Sequence, residues 1–268
     1  MVAKDMDWTE NYTTIKALDA RHDVWKHNAA VDGPFGPDLV PALKPDTLVL
    51  DAGCGTGVHL RTLIDRYPQA RFVAMDTSEA MVAATRERCP EAEVVGGTIT
   101  QLAWEDHHFA GTTCLHVLYH VPDIHQAVSE LARVTQKGGW AVISTVADDA
   151  GQESLRLHNA ACAEAHASEW QIEKLPSARF NTANGEQFIR PYFSQVTLYP
   201  RYAALYFTEV AAVLKYYTSM DYYQQIYRAN QALAEQVVTK ARQLVEAQLH
   251  AKGEFQISKN VGTWLAFK

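Results

Sequence analysis

Residues 47–57 read Thr-Leu-Val-Leu-Asp-Ala-Gly-Cys-Gly-Thr-Gly. Leu48, Val49 and Leu50 form a short β-favouring run, as a parallel strand does when both of its faces are buried. Gly53, Gly55 and Gly57 then break it. Lacking a Cβ, they permit a tight turn and let backbone approach a ligand closely. Beyond them Leu60, Leu63, Ile64 and Tyr67 recur at helical spacing. The stretch predicts a strand, a glycine loop and a helix whose N-terminus the loop feeds.

This is a nucleotide-site arrangement, and charge decides which kind. A dinucleotide site aims helix-dipole and backbone N–H groups at a pyrophosphate. Asp51 stands two residues before the first glycine, where it would repel that anion and suit a ligand with an ammonium group. Further on, Phe72-Val73-Ala74-Met75 ends in Asp76. A carboxylate at the tip of a second strand is placed to accept both hydroxyls of a ribose. One acid for an ammonium and one for a ribose point to S-adenosylmethionine. A dehydrogenase reading fails on Asp51 and on the glycine spacing.

Four segments carry a wider likeness: Leu-Asp-Ala-Gly-Cys-Gly-Thr-Gly (50–57), Met-Asp-Thr-Ser-Glu-Ala-Met-Val (75–82), Leu-His-Val-Leu-Tyr-His-Val-Pro-Asp (115–123) and Leu-Ala-Arg-Val-Thr-Gln-Lys-Gly-Gly (131–139). In order and spacing they resemble the class I S-adenosylmethionine-dependent methyltransferases, of the small-molecule, UbiE-like group (methyltransferase type 11 or 25). The resemblance implies an α/β fold: a Rossmann-like seven-stranded doubly wound, mostly parallel sheet, with a helical lid or insertion and a C-terminal antiparallel strand. It implies one domain over 1–268. Within it, 1–46 would be an N-terminal helical lid, 47–147 the cofactor-binding core, 148–194 an active-site insertion, and 195–268 the C-terminal sheet and helices.

The resemblance also assigns residues. Asp51, Gly53, Gly55, Gly57, Asp76 and Thr77 would bind the cofactor, with Met81 on the adenine face. The family usually places an acid at the third strand for the adenine amino group. Here Thr98 stands instead, able to accept a hydrogen bond, and the Ile99 backbone N–H would serve a ring nitrogen. Leu115 replaces a commonly polar residue near the amino-acid end. The family's Phe-Asp before the fourth strand is Phe109-Ala110-Gly111 here, a change expected to touch strand capping. Residues 12–25 have helical spacing, and some small-molecule methyltransferases begin with a helix that folds over the cofactor. Tyr12 and Arg21 would then be cofactor contacts; a helix packed on the sheet with a solvated arginine is the alternative.

The fourth strand, expected over about 112–116, ends at the reacting centre, because ligands sit beyond the carboxyl ends of parallel strands. Nucleic-acid amine methyltransferases carry an Asn/Asp-Pro-Pro-aromatic run there; Cys114-Leu115-His116-Val117 disfavours that class. His116 or His120 is the candidate catalytic group that orients the acceptor or takes its proton, and Tyr119 offers a ring face to a sulfonium. A structural role for His120, holding the loop, stands beside that reading. His116, His120 and His125 suggest no metal, since no carboxylate or cysteine completes a ligand set.

A helix is expected over 123–134, closed by Lys137-Gly138-Gly139, then a fifth strand from Trp140. Residues 150–191 read as an insertion that sets substrate choice. Residues 195–199 resume the sheet, 208–219 and 222–250 are helical, and the close from Gly253 resembles the family's terminal hairpin strand. Tyr199, Tyr202, Tyr206, Tyr216, Tyr217, Tyr222, Tyr223 and Tyr227 crowd this half. An aromatic wall for an acceptor is one reading; packing is the expected duty of most.

The chain of 268 residues carries net charge −7 and shows no basic footprint for nucleic acid. No apolar run approaches the ~20 residues that cross a bilayer, and the first residues lack an apolar signal core. Four scattered cysteines fit free thiols and a cytoplasmic location. The expected partner is a small-molecule substrate, with neither nucleic acid nor membrane, and the chain a monomer or homodimer. The sequence therefore predicts an enzyme that methylates a small molecule of secondary or specialised metabolism. Two alternatives remain open: an intramolecular cyclase that converts S-adenosylmethionine to azetidine-2-carboxylate and methylthioadenosine, and a module that only senses S-adenosylmethionine.

Overall fold

A computed structural model describes residues 29–268. The expected helix over 12–25, with Tyr12 and Arg21, lies outside the described residues. The chain runs β1 (Ala29–Asp32), β2 (Leu48–Ala52), α1 (Val58–Arg66), β3 (Arg71–Asp76), α2 (Glu79–Arg88), β4 (Glu93–Gly96), β5 (Phe109–Leu115), α3 (Ile124–Val134) and β6 (Thr135–Val146). There follow α4 (Gln152–Glu164), α5 (Glu186–Ile189), β7 (Gln195–Phe207), α6 (Val210–Thr218), α7 (Asp221–Ala229), α8 (Gln231–Lys252), β8 (Phe255–Ser258) and β9 (Val261–Phe267).

These elements partition into two compact units. The sheet unit spans residues 32–148, 177–201 and 261–268; the helical unit takes 149–176 and 202–260 together with residues 29–31. The segment expected as one insertion, 148–194, divides between them at residue 176.

In the sheet unit the strand order is β7-β9-β6-β5-β2-β3-β4. β2 pairs in parallel with β3 and with β5, β3 with β4, and β5 with β6. β9 runs antiparallel to both β6 and β7. This is the seven-stranded, mostly parallel sheet with one reversed strand that the sequence predicts. β8 pairs antiparallel with residues 204–207 of β7, within the helical unit. The strand order reverses at β2/β5, so the carboxyl ends of these two strands flank the crevice where such sheets bind ligands. One face of the sheet buries Leu50, Val73, Ile143 and the α3 stripe Ile124, Val128 and Leu131. The other buries Val49, Phe72, Leu115 and Val142 against Leu60 and Ile64 of α1. Both faces are covered, which explains the unbroken apolar runs in the sequence.

Several boundaries differ from expectation. β5 begins at Phe109, three residues earlier than predicted. The Ala-Gly that replaces the family's Asp admits an indole: a Cβ on Gly111 would lie 2.1 Å from Trp140 Cε2. The loop before β5 is held instead by Arg133, which donates to the carbonyls of Trp104 (2.7 Å) and Leu102 (2.9 Å) and to Asp106 (3.0 Å). Lys137-Gly138-Gly139 does not cap α3. Thr135 does, its N–H bonded to Leu131 O, and Gly138, at φ +74°, lies in a bulge where β5–β6 pairing jumps from Thr135 to Trp140. β7 extends eight residues beyond the predicted 195–199, and the terminal hairpin partner of β9 is β7, not the adjacent β8.

The helical unit has its own core. Leu157, Ala161 and Cys162 of α4 pack with Val213 and Tyr217 of α6, Tyr222, Tyr223 and Ile226 of α7, and Val237, Ala241 and Val245 of α8. Tyr216, Tyr217, Tyr222 and Tyr223 are therefore packing residues, while Tyr202, Tyr206 and Tyr227 are exposed. Inside this core His158 is fully buried. Its Nε2–H donates to the Trp170 carbonyl (3.0 Å), which leaves Nδ1 to accept from the Tyr217 hydroxyl (2.9 Å). Ser154 Oγ and the Tyr222 hydroxyl share a hydrogen bond of 2.5 Å nearby.

Burial disfavours the charged imidazole and pulls the His158 pKa down to about 4, from an ordinary value of ~6.5. As pH falls the unfolded chain takes its proton first. The contribution of His158 to stability is therefore intact above about pH 6.5 and drains as pH falls towards 4, a loss on the order of 3 kcal/mol. Hydrogen-exchange protection of the α4 amides should fall across this window, and the slope should flatten in His158→Gln.

Candidate functional site

The glycine loop after β2 is fastened from three sides. The N–H groups of Gly53 and Cys54 both donate to the Met75 carbonyl, at 2.7 and 3.0 Å, so the loop begins against the end of β3. The Gly55 N–H donates to Asp76 Oδ2 at 2.9 Å. Thr85 Oγ1–H of α2 donates to the Gly55 carbonyl at 2.8 Å, and the Arg88 guanidinium donates to the Thr56 carbonyl. All three glycines have positive φ, at +83°, +56° and +74°, a region costly for other residues.

The glycines do different work. A Cβ on Gly53 would meet Val117 Cγ2 at 2.3 Å, and one on Gly57 would meet Thr85 Oγ1 at 3.1 Å. These two serve close packing. Among the described residues, a Cβ on Gly55 would meet nothing within 4 Å. The middle of the loop thus presents bare backbone that no described residue covers, with the Asp76 carboxylate bonded to its N–H.

Asp51 lies at the end of β2, directly opposite Thr113 of β5 in register. Its side chain is 3 % exposed. Thr113 Oγ1–H donates to Asp51 Oδ1 at 2.6 Å; among the described residues no other donor reaches the carboxylate. Burial raises the Asp51 pKa to about 6, with the Thr113 hydrogen bond opposing and the Asp76 charge adding to the rise. A buried carboxylate held against burial and against a like charge is stabilised by a cation. The second carboxylate, Asp76, also accepts the Ser78 N–H at 3.0 Å, and Ser78 caps α2 by accepting the Met81 N–H.

Beyond the end of β5 the chain turns at His116, whose φ of +60° is rare for a residue other than glycine. Its ring stacks on Phe35, centroids 5.4 Å apart and planes at 22°. Phe35 also contacts His59 of α1 at 5.2 Å, and the Arg201 guanidinium lies 5.5 Å from its ring centre. Tyr119 lies 4.3 Å from His120 and 6.4 Å from His116, ring to ring. Backbone held in a costly conformation at the end of a central strand is a mark of functional sites.

The structure thus brings Asp51, Gly53, Gly55, Gly57, Asp76 and Thr77 together at the ends of β2 and β3, and His116, Tyr119 and His120 after β5. The Leu115 side chain instead packs towards Gly36, whose Cβ would lie 3.0 Å from it. Met81 and Ile99 are buried, which leaves the backbone as Ile99's route to a ligand. Thr98 is exposed, with its hydroxyl on that of Thr100 at 2.9 Å. His125 packs against Phe188, and among the described residues no group of three His, Cys, Asp or Glu could hold a metal ion. Sequence reasoning missed Thr113, Phe35 and His59. Phe35 lies within Gly-Pro-Phe-Gly-Pro (33–37), a run that signals only a break in the chain, and Thr113 becomes visible only with the register of β5 on β2.

Residues 50–143 match a family model described as a methyltransferase domain. Over 117 residues the chain is 35% identical to a trans-aconitate 2-methyltransferase of Variovorax paradoxus, covering 44% of this chain and 45% of that protein. Over 148 residues it is 31% identical to a ubiquinone biosynthesis O-methyltransferase of Alkalilimnicola ehrlichii, covering 53% and 55%. The chain thus spans about half the length of the curated relatives it matches. Among solved structures, protein BH2331 of Bacillus halodurans superposes with a TM-score of 0.51 at 17% identity, over 85% of this chain and 94% of that one. That likeness bears on the fold.

The three glycines predict separable defects. Gly53→Ala should lower thermal stability through the Val117 collision. Gly55→Ala should cost only the ~1–2 kcal/mol of a left-handed alanine, yet weaken S-adenosylhomocysteine at least ten-fold by calorimetry, because its methyl enters the open side of the loop.

Proposed function

We propose that this chain, whose residues 50–143 match a methyltransferase-domain family model, is a class I S-adenosylmethionine-dependent methyltransferase that methylates a small-molecule acceptor in a biosynthetic pathway. The observation that carries the reading is the paired acids across an open glycine. Asp51 and Asp76 flank a loop whose middle residue has no neighbour on its open side among the described residues, a cradle that suits a ligand with an ammonium at one end and a ribose at the other. The bound cofactor supplies an electrophilic methyl group on a sulfonium. Asp51 would take the ammonium, Asp76 the ribose hydroxyls through lone pairs not used by Gly55 and Ser78, and Thr77, Met81, Thr98 and Ile99 the adenine side.

The acceptor would meet the residues after β5. His116 is the proposed base for an oxygen acceptor, its ring fixed by stacking on Phe35, with Tyr119 and His120 beside it. In-line displacement asks the protein mainly to align the nucleophile and exclude water. The matched relatives support a small acceptor: one is a trans-aconitate 2-methyltransferase, the other a ubiquinone biosynthesis O-methyltransferase. No described helix is long and apolar enough to cross a membrane.

The test is formation of S-adenosylhomocysteine from S-adenosylmethionine, first with trans-aconitate and then with a small-molecule extract of the source cell. Product that depends on the added acceptor supports the proposal. Methylthioadenosine formed from the cofactor alone would replace it with cyclisation. In His116→Gln, kcat should fall at least ten-fold while S-adenosylhomocysteine affinity stays within two-fold.

A further inference from the structure

We propose that Thr113 is a positioning residue for cofactor binding: its hydroxyl orients the Asp51 carboxylate and holds it ionised for the ligand's ammonium group. The inference rests on the reading of the glycine loop given above and adds to it a residue that lies outside every motif carrying the family likeness. Thr113 and Asp51 are cross-strand partners in the parallel β2–β5 pair. They point to the same face of the sheet, where neighbouring strands bring side chains within reach of each other.

The geometry assigns the roles. Thr113 is fully buried. Its hydroxyl oxygen lies 2.6 Å from Asp51 Oδ1 and 3.5 Å from the Leu50 carbonyl. A hydroxyl has one proton to donate, and the short contact to the carboxylate takes it. Oδ1 is thereby occupied and Oδ2 left for another donor. The bond fixes the side-chain rotamer of Asp51 and favours its anionic form in a site where burial favours the acid.

Among the described residues, the ionisable groups that face Asp51 are few. Asp76 on β3 raises its pKa. The neighbouring thiols are Cys54 in the loop, Cys89 after α2 and Cys114 on β5. Burial raises all three, Cys54 to about 12, so they stay protonated near neutrality. Asp51 is thus the group whose charge the Thr113 bond acts on.

The sign follows from the linkage. Ammonium binding needs ionised Asp51, so affinity declines as pH drops through the carboxyl's free-state pKa. Without the hydroxyl that pKa rises, and the decline starts at higher pH. The experiment is calorimetric titration of S-adenosylhomocysteine into full-length protein between pH 5.5 and 8. The variants are Thr113→Val, Thr113→Ser, Asp51→Asn and the Thr113→Val/Asp51→Asn double mutant, with circular dichroism to confirm folding. Thr113→Val is expected to bind about ten-fold more weakly at pH 7, with its pH midpoint moved up by about one unit. Thr113→Ser should restore both. In the Asp51→Asn background, Thr113→Val should change affinity less than two-fold.

Three results would overturn the inference: unchanged affinity and midpoint in Thr113→Val, failure of Ser to rescue, or an equal loss in the Asp51→Asn background, which would mark a purely structural role. Should Thr113→Val not fold, the carboxyl ¹³C titration of Asp51 in the wild type and in Thr113→Ser decides, since a positioned pair keeps the same midpoint in both. Wild-type protein that fails to bind S-adenosylhomocysteine would instead remove the functional reading, a result distinct from each of these.

Discussion

The hydrogen bond from the Gly55 N–H to Asp76 ties the tip of one strand to the loop of another, and the site is arranged around it. It fixes a left-handed glycine whose side lacks any neighbour among the described residues. Thr85 closes the same residue from the other side through its carbonyl. A loop with one donor and one acceptor committed in this way is held open, so a ligand meets preformed backbone rather than paying to order it. The remaining two glycines exist for a different reason: they let Val117 and Thr85 come within van der Waals contact.

The sheet supplies the rest of the constraint. Because the strand order reverses at β2/β5, the residues after these strands face a common crevice. Register then couples residues far apart in sequence. Asp51 finds Thr113 sixty-two positions away, and the two determine the charge state of the site together. The turn at His116 is part of the same logic: a strained residue stacked on Phe35 projects from the end of a strand that the core holds rigid.

Much of this was legible in the sequence. The strand–loop–helix of residues 47–66 and the acid at the tip of β3 are local features, each written in a few adjacent residues. So was the helix over 124–134, whose apolar stripe recurs at helical spacing. The illegible features are those that need a partner. Thr113 reads as one more residue of a buried strand until β5 is laid against β2. The bulge at Gly138 looks like a helix cap, because a glycine after a helix is the usual stop; only the pairing of Thr135 with Phe109 shows that the strand has already begun. The length of β7 was hidden by Pro200 and Arg201, which suggest an end to a strand that continues to Phe207. Phe35 sat among prolines and glycines that mask its place in an aromatic cluster.

The most direct measurement is a crystal structure of the full chain with S-adenosylhomocysteine. The account predicts the ammonium within hydrogen-bond distance of Asp51, both ribose hydroxyls on Asp76 and the chain of the ligand passing over Gly55. A ligand bound elsewhere, or bound over the loop with Asp51 still buried and untouched, would contradict it.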